Sequence, residues 1–252
     1  MKKIVMVILM VGGISVPAWG GENDVNLKYF DDLQEEAQKE FENLSRDLGL
    51  GLNLIPLAPA EPLGLTGIDI GIEITLLDID QTVPHWVYAV NDQEPPSYLA
   101  IPKLHVQKGL PMGLDIGGIY AGVPTSNIHL VGAELKWAFN KGSLAIPAVA
   151  LRGSYTKLLG VEQLNFQTEG VDLSISKGLP FLTPYGGIGG VFIQSEAKNL
   201  PPPSDELSLD KENISLFKGF VGLRLSLALF KFTAEVDFAK INSYSLKVSF
   251  GV

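Results

Sequence analysis

Fourteen ionisable residues stand at alternate positions inside apolar runs: Asp69, Glu73, Lys103, His105, Asp115, Glu134, Lys136, Arg152, Asp172, Arg224, Lys231, Glu235, Asp237 and Lys247. Side chains spaced by two share one face of an extended strand. Six bases against seven acids, besides the histidine, is near balance, which suits mutual ion pairs that close a narrow lumen. The alternative chemistry is a selective channel with one basic and one acidic wall. For hydrolysis, His105 with Ser154 or Ser174 is the pairing to consider, but no spacing requires it. His85 and His129 lie far from it in the chain. The run Gly186 to Gly190 precedes no helix that would hold a phosphate, so it reads as room for a close neighbour. Acids in two long connections (Asp78, Asp80, Asp92, Glu94, Asp205, Glu206, Asp210 and Glu212) read as solvated loop groups, with a divalent cation as the sharper alternative. No catalytic residue, metal or cofactor is expected.

The elements that position these residues are strands. Ile68, Ile70, Ile72, Ile74 and Leu76 alternate with Asp69, Gly71, Glu73 and Thr75, a period of two. Tyr244, Leu246, Val248, Phe250 and Val252 alternate likewise with small or charged residues. The same pattern predicts ten strands, at 67–79, 100–108, 112–121, 127–139, 145–156, 163–177, 183–195, 213–227, 229–239 and 243–252. A parity break at Glu169-Gly170 predicts a bulge in the sixth. Most connections are short and carry turn residues, which predicts an antiparallel up-and-down meander. The fold class is therefore all-β: a barrel of about ten strands behind an N-terminal amphipathic helix.

Alternation does not say which face is wet. Four features favour a lipid-facing apolar surface. Most strands have the length of a tilted membrane strand. The polar face carries charges in mid-strand. Aromatics on the apolar face cluster near strand ends, with Tyr120, Tyr155 and Tyr244 at one level and Trp137, Phe139, Phe230 and Phe250 at the other. Both long connections, near 80–99 and 196–212, follow odd-numbered strands and so fall at the same end. A transmembrane barrel is thus expected. A soluble periplasmic barrel holding an apolar ligand is the alternative, and an outer-membrane hydrolase a weaker one.

The N-terminus reads as an address. Lys2-Lys3, the apolar run Ile4 to Val16 and the small residues Ala18 and Gly20 form a secretory signal over 1–20. The net charge of the 252-residue chain is −9, or −11 without that segment. This acidic balance argues against nucleic-acid partners. The chain has no cysteine, which excludes disulfides, thiolate metal sites and cysteine nucleophiles. Within residues 21–50, Phe30, Leu33, Ala37, Phe41, Leu44 and Leu48 form one helical stripe. The opposite face carries Asp31, Asp32, Glu35, Glu36, Lys39, Glu40, Glu42, Arg46 and Asp47. Gly49 and Gly51 are expected to end the helix. It is expected to plug the barrel or cap its periplasmic mouth. Residues 51–66, with Pro56, Pro59 and Pro62, read as an extended linker, and 67–252 as the barrel.

The segment Tyr244 to Phe250 resembles the closing strand of bacterial outer-membrane barrels. Such strands end in an aromatic residue that the barrel-assembly machinery reads; here Gly251-Val252 displaces that residue by two and keeps its face. The runs Glu61 to Glu73, Lys108 to Met112, Arg152 to Tyr155 and Thr183 to Gly187 resemble an uncharacterised family of proteobacterial outer-membrane proteins. The resemblance spans most of the chain after residue 50. It implies a barrel in the outer membrane, with outer-membrane lipid, lipopolysaccharide and the assembly machinery as partners. It implies no activity.

Overall fold

The computed structural model describes residues 27–89, 95–122, 128–143, 145–161, 163–198 and 208–252. The expected signal at 1–20 and the acids Asp92, Glu94, Asp205 and Glu206 lie outside these residues. Ten strands close into one antiparallel barrel in which each strand pairs with its neighbours in sequence and the first with the last. They are β1 (Ile68–Asp78), β2 (Tyr98–Gly109), β3 (Leu114–Gly122), β4 (His129–Asn140) and β5 (Ala148–Leu159). Then follow β6 (Leu164–Ser176), β7 (Leu182–Ala197), β8 (Glu212–Leu227), β9 (Phe230–Phe238) and β10 (Ser243–Gly251). Closure pairs Asp69 with Gly251 and Leu77 with Ser243, so no strand edge is left open.

Strand boundaries follow the predicted ones to within a few residues. The largest shift is at β5, predicted from residue 145. Ser143 and Ile146 close a turn there, and Pro147 has no N–H to give, so pairing starts at Ala148. The bulge predicted at Glu169-Gly170 is not present: β6 keeps an unbroken register with β5 and with β7. The ladder irregularity lies instead between β4 and β5, at Trp137 to Asn140. What changes in β6 is polarity, not parity. From Val171 onward, Val171, Leu173 and Ile175 face outward while Asp172, Ser174 and Ser176 face in. Before Gly170 the faces exchange character: Leu164 and Phe166 are buried inside, and Asn165 and Glu169 are exposed.

Helix α1 (Ala37–Leu52) follows a 3-10 segment over Lys28–Glu36. Its stripe of Phe41, Leu44 and Leu48 is buried in an apolar core with Leu77, Ile101, Ile119, Leu130, Phe166, Val191 and Ile193, all from the barrel interior. The helix does not stop at its glycines. Gly51 sits where a Cβ would come within 3.1 Å of Leu77 and 3.2 Å of Ile101, so these glycines let the helix approach the wall. A short helix α2 (Pro84–Val87), in the connection after β1, packs on α1.

All these core positions lie toward the β1–β2 and β7–β8 connections, the long-loop mouth. The helix therefore does not cap the opposite mouth, formed by the short turns and both barrel-strand termini. The expectation of a periplasmic cap is corrected, because the apolar stripe finds its matching apolar wall only at the long-loop end. Residues 53–66 then run back through the lumen to the start of β1. Leu54 and Ile55 lie at the helix end, and Leu63 bonds to Asp115 at the first residues of β3. The segment read as a linker is an interior strap.

Candidate functional site

The candidate site is the lumen and the strap that fills it. The strap has no strand partner, so each buried N–H and C=O must find a side chain. Pro56, Pro59 and Pro62 remove three of the donors. The wall supplies partners for several of the others. Arg152 donates to the Leu54 carbonyl at 2.8 Å, and Arg224 donates to the Leu57 carbonyl at 3.0 Å. Lys136 donates to the carbonyls of Pro59 and Glu61 at 2.9 and 3.0 Å. In the other sense, the Leu57 N–H donates to Glu235 at 2.9 Å, Glu61 N–H to Ser176 at 3.2 Å, and Leu63 N–H to Asp115 at 3.1 Å. Leu57 adopts φ 40°, a left-handed conformation that costs a leucine, held by Arg224 and Glu235 on either side of its peptide units.

Around this strap the charges form a belt. Glu73 forms an ion pair with Lys103 at 3.2 Å and meets His105 Nδ1 at 2.8 Å. His105 Nε2 lies 3.1 Å from Glu134, which pairs with Arg152 at 2.8 Å. Arg152 also binds Asp172, which faces Lys218 at 3.9 Å; Lys218 binds Asp237 at 2.8 Å. Asp69 takes Lys247 at 3.0 Å and Lys231 at 3.2 Å, and Asp115 takes Lys136 at 3.0 Å. Gln107 bridges two parts of the belt, donating to Glu134 at 2.6 Å and accepting from Lys247 at 3.0 Å. Arg224 reaches Thr233, and Tyr185 donates to Glu235 at 2.7 Å. Thirteen of the fourteen predicted lumen residues are buried; Lys231, at the short-turn mouth, is half-buried.

Lys218 and Tyr185 were not among the predicted residues. Lys218 is the seventh lumen base and balances the seven acids. Its signal was present: carrying the Phe220, Gly222, Arg224 parity back one step reaches it, although Leu216-Phe217 makes that stretch look uniformly apolar. The strap had a weaker signal, prolines every third residue in a run otherwise nearly free of charge.

Among the described residues, His105 is not brought together with Ser154 or Ser174. Both ring nitrogens of His105 face carboxylates, Ser174 Oγ donates to the Ala150 carbonyl at 3.5 Å, and Ser154 packs beside Gly170. The tight run in β7 makes room for a neighbour, as expected: a Cβ on Gly189 would fall 2.1 Å from Asp172 Oδ1. Among the described residues no group of His, Asp and Glu is arranged to hold a metal. The Asp80 carboxylate is held below its ordinary range by hydrogen bonds from the Thr82 side chain and N–H, so it caps a turn. His129, at the start of β4, lies 2.9 Å from the Tyr120 hydroxyl.

At the long-loop mouth a second polar cluster fixes the helix. His85 of α2 lies 3.0 Å from Glu40 and 2.9 Å from Asp47 of α1, and Trp86 donates to Asp47 at 3.0 Å. Two acids read as part of a wet helix face are thus buried. Ser45 bonds Ser195 of β7 at 2.8 Å. Outside the barrel, Tyr120, Trp137, Phe139, Tyr155, Phe230, Tyr244 and Phe250 are all exposed on the apolar surface. The three tyrosines lie toward the long-loop mouth and the other four toward the short turns, with Trp137–Phe139 and Phe230–Phe250 as edge-to-face pairs.

A closed up-and-down barrel occupied by its own N-terminal segment is the class that fold and site define. Residues 87–252 match the Family of unknown function (DUF6588), and the chain belongs to that family. No curated protein matches the sequence. Among solved structures, the N-terminal β-barrel domain of Pseudomonas aeruginosa OprF is similar at 13% identity and a TM-score of 0.36, over 75% of this chain and 99% of that one. The translocator domain of the autotransporter NalP from Neisseria meningitidis is similar at 11% identity and a TM-score of 0.42, over 89% and 98%. Ail, the attachment invasion locus protein of Yersinia pestis, is similar at 10% identity and a TM-score of 0.33, over 74% and 97%.

Proposed function

We propose that the chain is a sealed barrel of a bacterial outer membrane, with a structural or narrow-transport role and no catalysis. One observation carries this reading: toward the short turns, apolar side chains cover the outside of a closed barrel while paired charges and a bound strap fill the inside. Ile70, Ile72, Leu104, Leu135, Leu173, Val221, Leu246 and Val248 form an outward band that water would penalise and lipid would not. The short turns and the barrel ends face the periplasm in this reading, and the long connections face outward. Export by the 1–20 signal, insertion by the barrel-assembly machinery through β10, and contact with outer-membrane lipid and lipopolysaccharide follow from that placement. A soluble barrel would reverse the two faces.

The test is a heat-modifiability gel on detergent-extracted outer membranes, followed by single-channel recording of the purified full chain. A mobility difference between boiled and unboiled samples, with little or no steady conductance, is the expected result. Recovery in the soluble periplasmic fraction without that shift overturns the membrane reading, and a large steady conductance overturns the seal.

A further inference from the structure

We infer that the lumen is a conduit that reads the backbone of an extended polypeptide, and that the chain's own N-terminal segment passes through it to carry α1 to the outer surface of the cell. The inference rests on the outer-membrane orientation proposed above. Polarity of the chain supplies the first step. β1 starts at the short-turn mouth, the strap rises from there through the lumen to Asn53, and α1 sits at the long-loop mouth. Leu27, the first described residue, is held there by the Gln163 side chain, and Gln38 bonds to Asp210 and Glu212 before and at the start of β8. Residues 27–52 thus lie toward the long-loop mouth, with the strap and the charged belt between them and the periplasmic mouth.

The wall chemistry supplies the second step. The wall's bonds to the strap go to main-chain atoms: Arg152, Arg224 and Lys136 to carbonyls, and Glu235, Ser176 and Asp115 to N–H groups. Main-chain groups are common to every peptide, so this recognition selects an extended chain rather than a sequence. The strap's own side chains are mostly apolar or small, and Ala60 packs only with Ala138, Ala148 and Ala150 in its local cluster. The belt charges mainly pair with one another, so the wall is a charged surface that keeps much of its pairing with or without an occupant. The ligand class is therefore an extended, apolar-to-small polypeptide, and the occupant is residues 53–63.

The chain has no cysteine, so single cysteines report position cleanly. Glu35→Cys marks the exposed helical segment, Lys240→Cys the long-loop end and Lys141→Cys a short turn. With a membrane-impermeant maleimide on intact cells, Glu35→Cys should label to the same extent as Lys240→Cys, while Lys141→Cys should label only after the outer membrane is permeabilised. Labelling of Lys240→Cys but not Glu35→Cys in intact cells overturns the inference. Labelling of Lys141→Cys instead of Lys240→Cys overturns the proposed orientation, a separate failure. A second variant tests the path. Ala60→Cys with Ala148→Cys should form an intrachain disulfide in isolated membranes, and absence of that cross-link in a heat-modifiable barrel places the strap outside the lumen. Lys136→Met, in a barrel that keeps its mobility shift, should lower the labelled fraction of Glu35→Cys; an unchanged fraction overturns the role of the wall.

Discussion

The two halves of the barrel interior solve the same burial problem with opposite chemistry. Toward the short turns the inside is charged and the outside apolar. Toward the long connections the inside is apolar, filled by α1, and on β6 to β8 the outside is polar, with Asn165, Gln167, Gln194, Glu196 and Lys211 in hydrogen-bonded contact. On the proposed membrane reading the lower half meets lipid outside, so its hydrophilic space is the lumen. The upper half has its apolar core inside and, on β6 to β8, hydrogen-bonded polar groups outside, the arrangement expected of a barrel surface in water. One unbroken strand serves both because side-chain alternation has a fixed period while polarity need not. On that reading, the place where the two faces of β6 exchange, near Gly170, marks where the surrounding solvent changes.

The strongest test of the comparison breaks the charged half at its centre. Arg152 touches Glu134, Asp172 and the Leu54 carbonyl at once. Arg152→Met leaves two buried carboxylates without their shared partner and should cost about 3–5 kcal/mol. Urea unfolding from lipid vesicles measures it, and a loss under about 1 kcal/mol would show that water, not arginine, satisfies these groups.

Next comes the apolar half. Leu44→Ala should cost about 2–5 kcal/mol by removing buried methylenes from the helix–wall contact. The decisive readout is its locality. The heat-modifiable barrel should persist while Glu35 and its neighbours become protease-sensitive. If the whole barrel is lost instead, the two halves are a single cooperative unit.

On the outer surface Leu173 faces the band assigned to lipid. Leu173→Arg should cost about 2–4 kcal/mol in vesicles. A neutral outcome would place β6 out of the bilayer and undo the division between halves. Smaller again is His85→Ala, which removes the contacts of His85 with Glu40 and Asp47 and leaves Trp86 on Asp47. Its expected cost is about 1.5–3 kcal/mol, visible as faster hydrogen exchange confined to α1 and α2. Exchange that rises equally in β1 and β10 would show that this cluster is not a local fastening.

Much of the charged half was legible in the sequence, because a two-residue period with ionisable groups in mid-strand marks one face of a strand as polar along its length. Asp69, Glu73 and Lys247 follow from Ile and Leu alternation alone. The apolar half was harder to read. In β6, Leu164 and Phe166 share parity with Asp172, so equating one face with one polarity mimics a slipped register and calls for a bulge. The end of the barrel that α1 occupies was hidden for a related reason: its stripe demands an apolar partner, and strand alternation suggests that apolar side chains point only outward. The strap was the least legible element. Its bonds are made by side chains 52 to 178 residues away in sequence, and no local pattern announces a peptide that uses the wall of a barrel as its hydrogen-bonding partner.

The smallest expected effect gives the sharpest boundary. Gln167 lies on β6 six residues before Leu173 and on the same outward face, about 20 Å away along an extended strand. Its side chain accepts from Tyr155 at 3.0 Å and donates to Gln194 at 2.9 Å. If this level is outside the hydrocarbon, Gln167→Arg exchanges one hydrated group for another and should cost about 0–1 kcal/mol. Measured beside Leu173→Arg in the same vesicles, the pair reports the slope of polarity along one strand. Equal costs at the two positions would mean that the bilayer covers the polar contacts as well. The exchange of faces at Gly170 would then need a protein neighbour, not a change of solvent, to account for it.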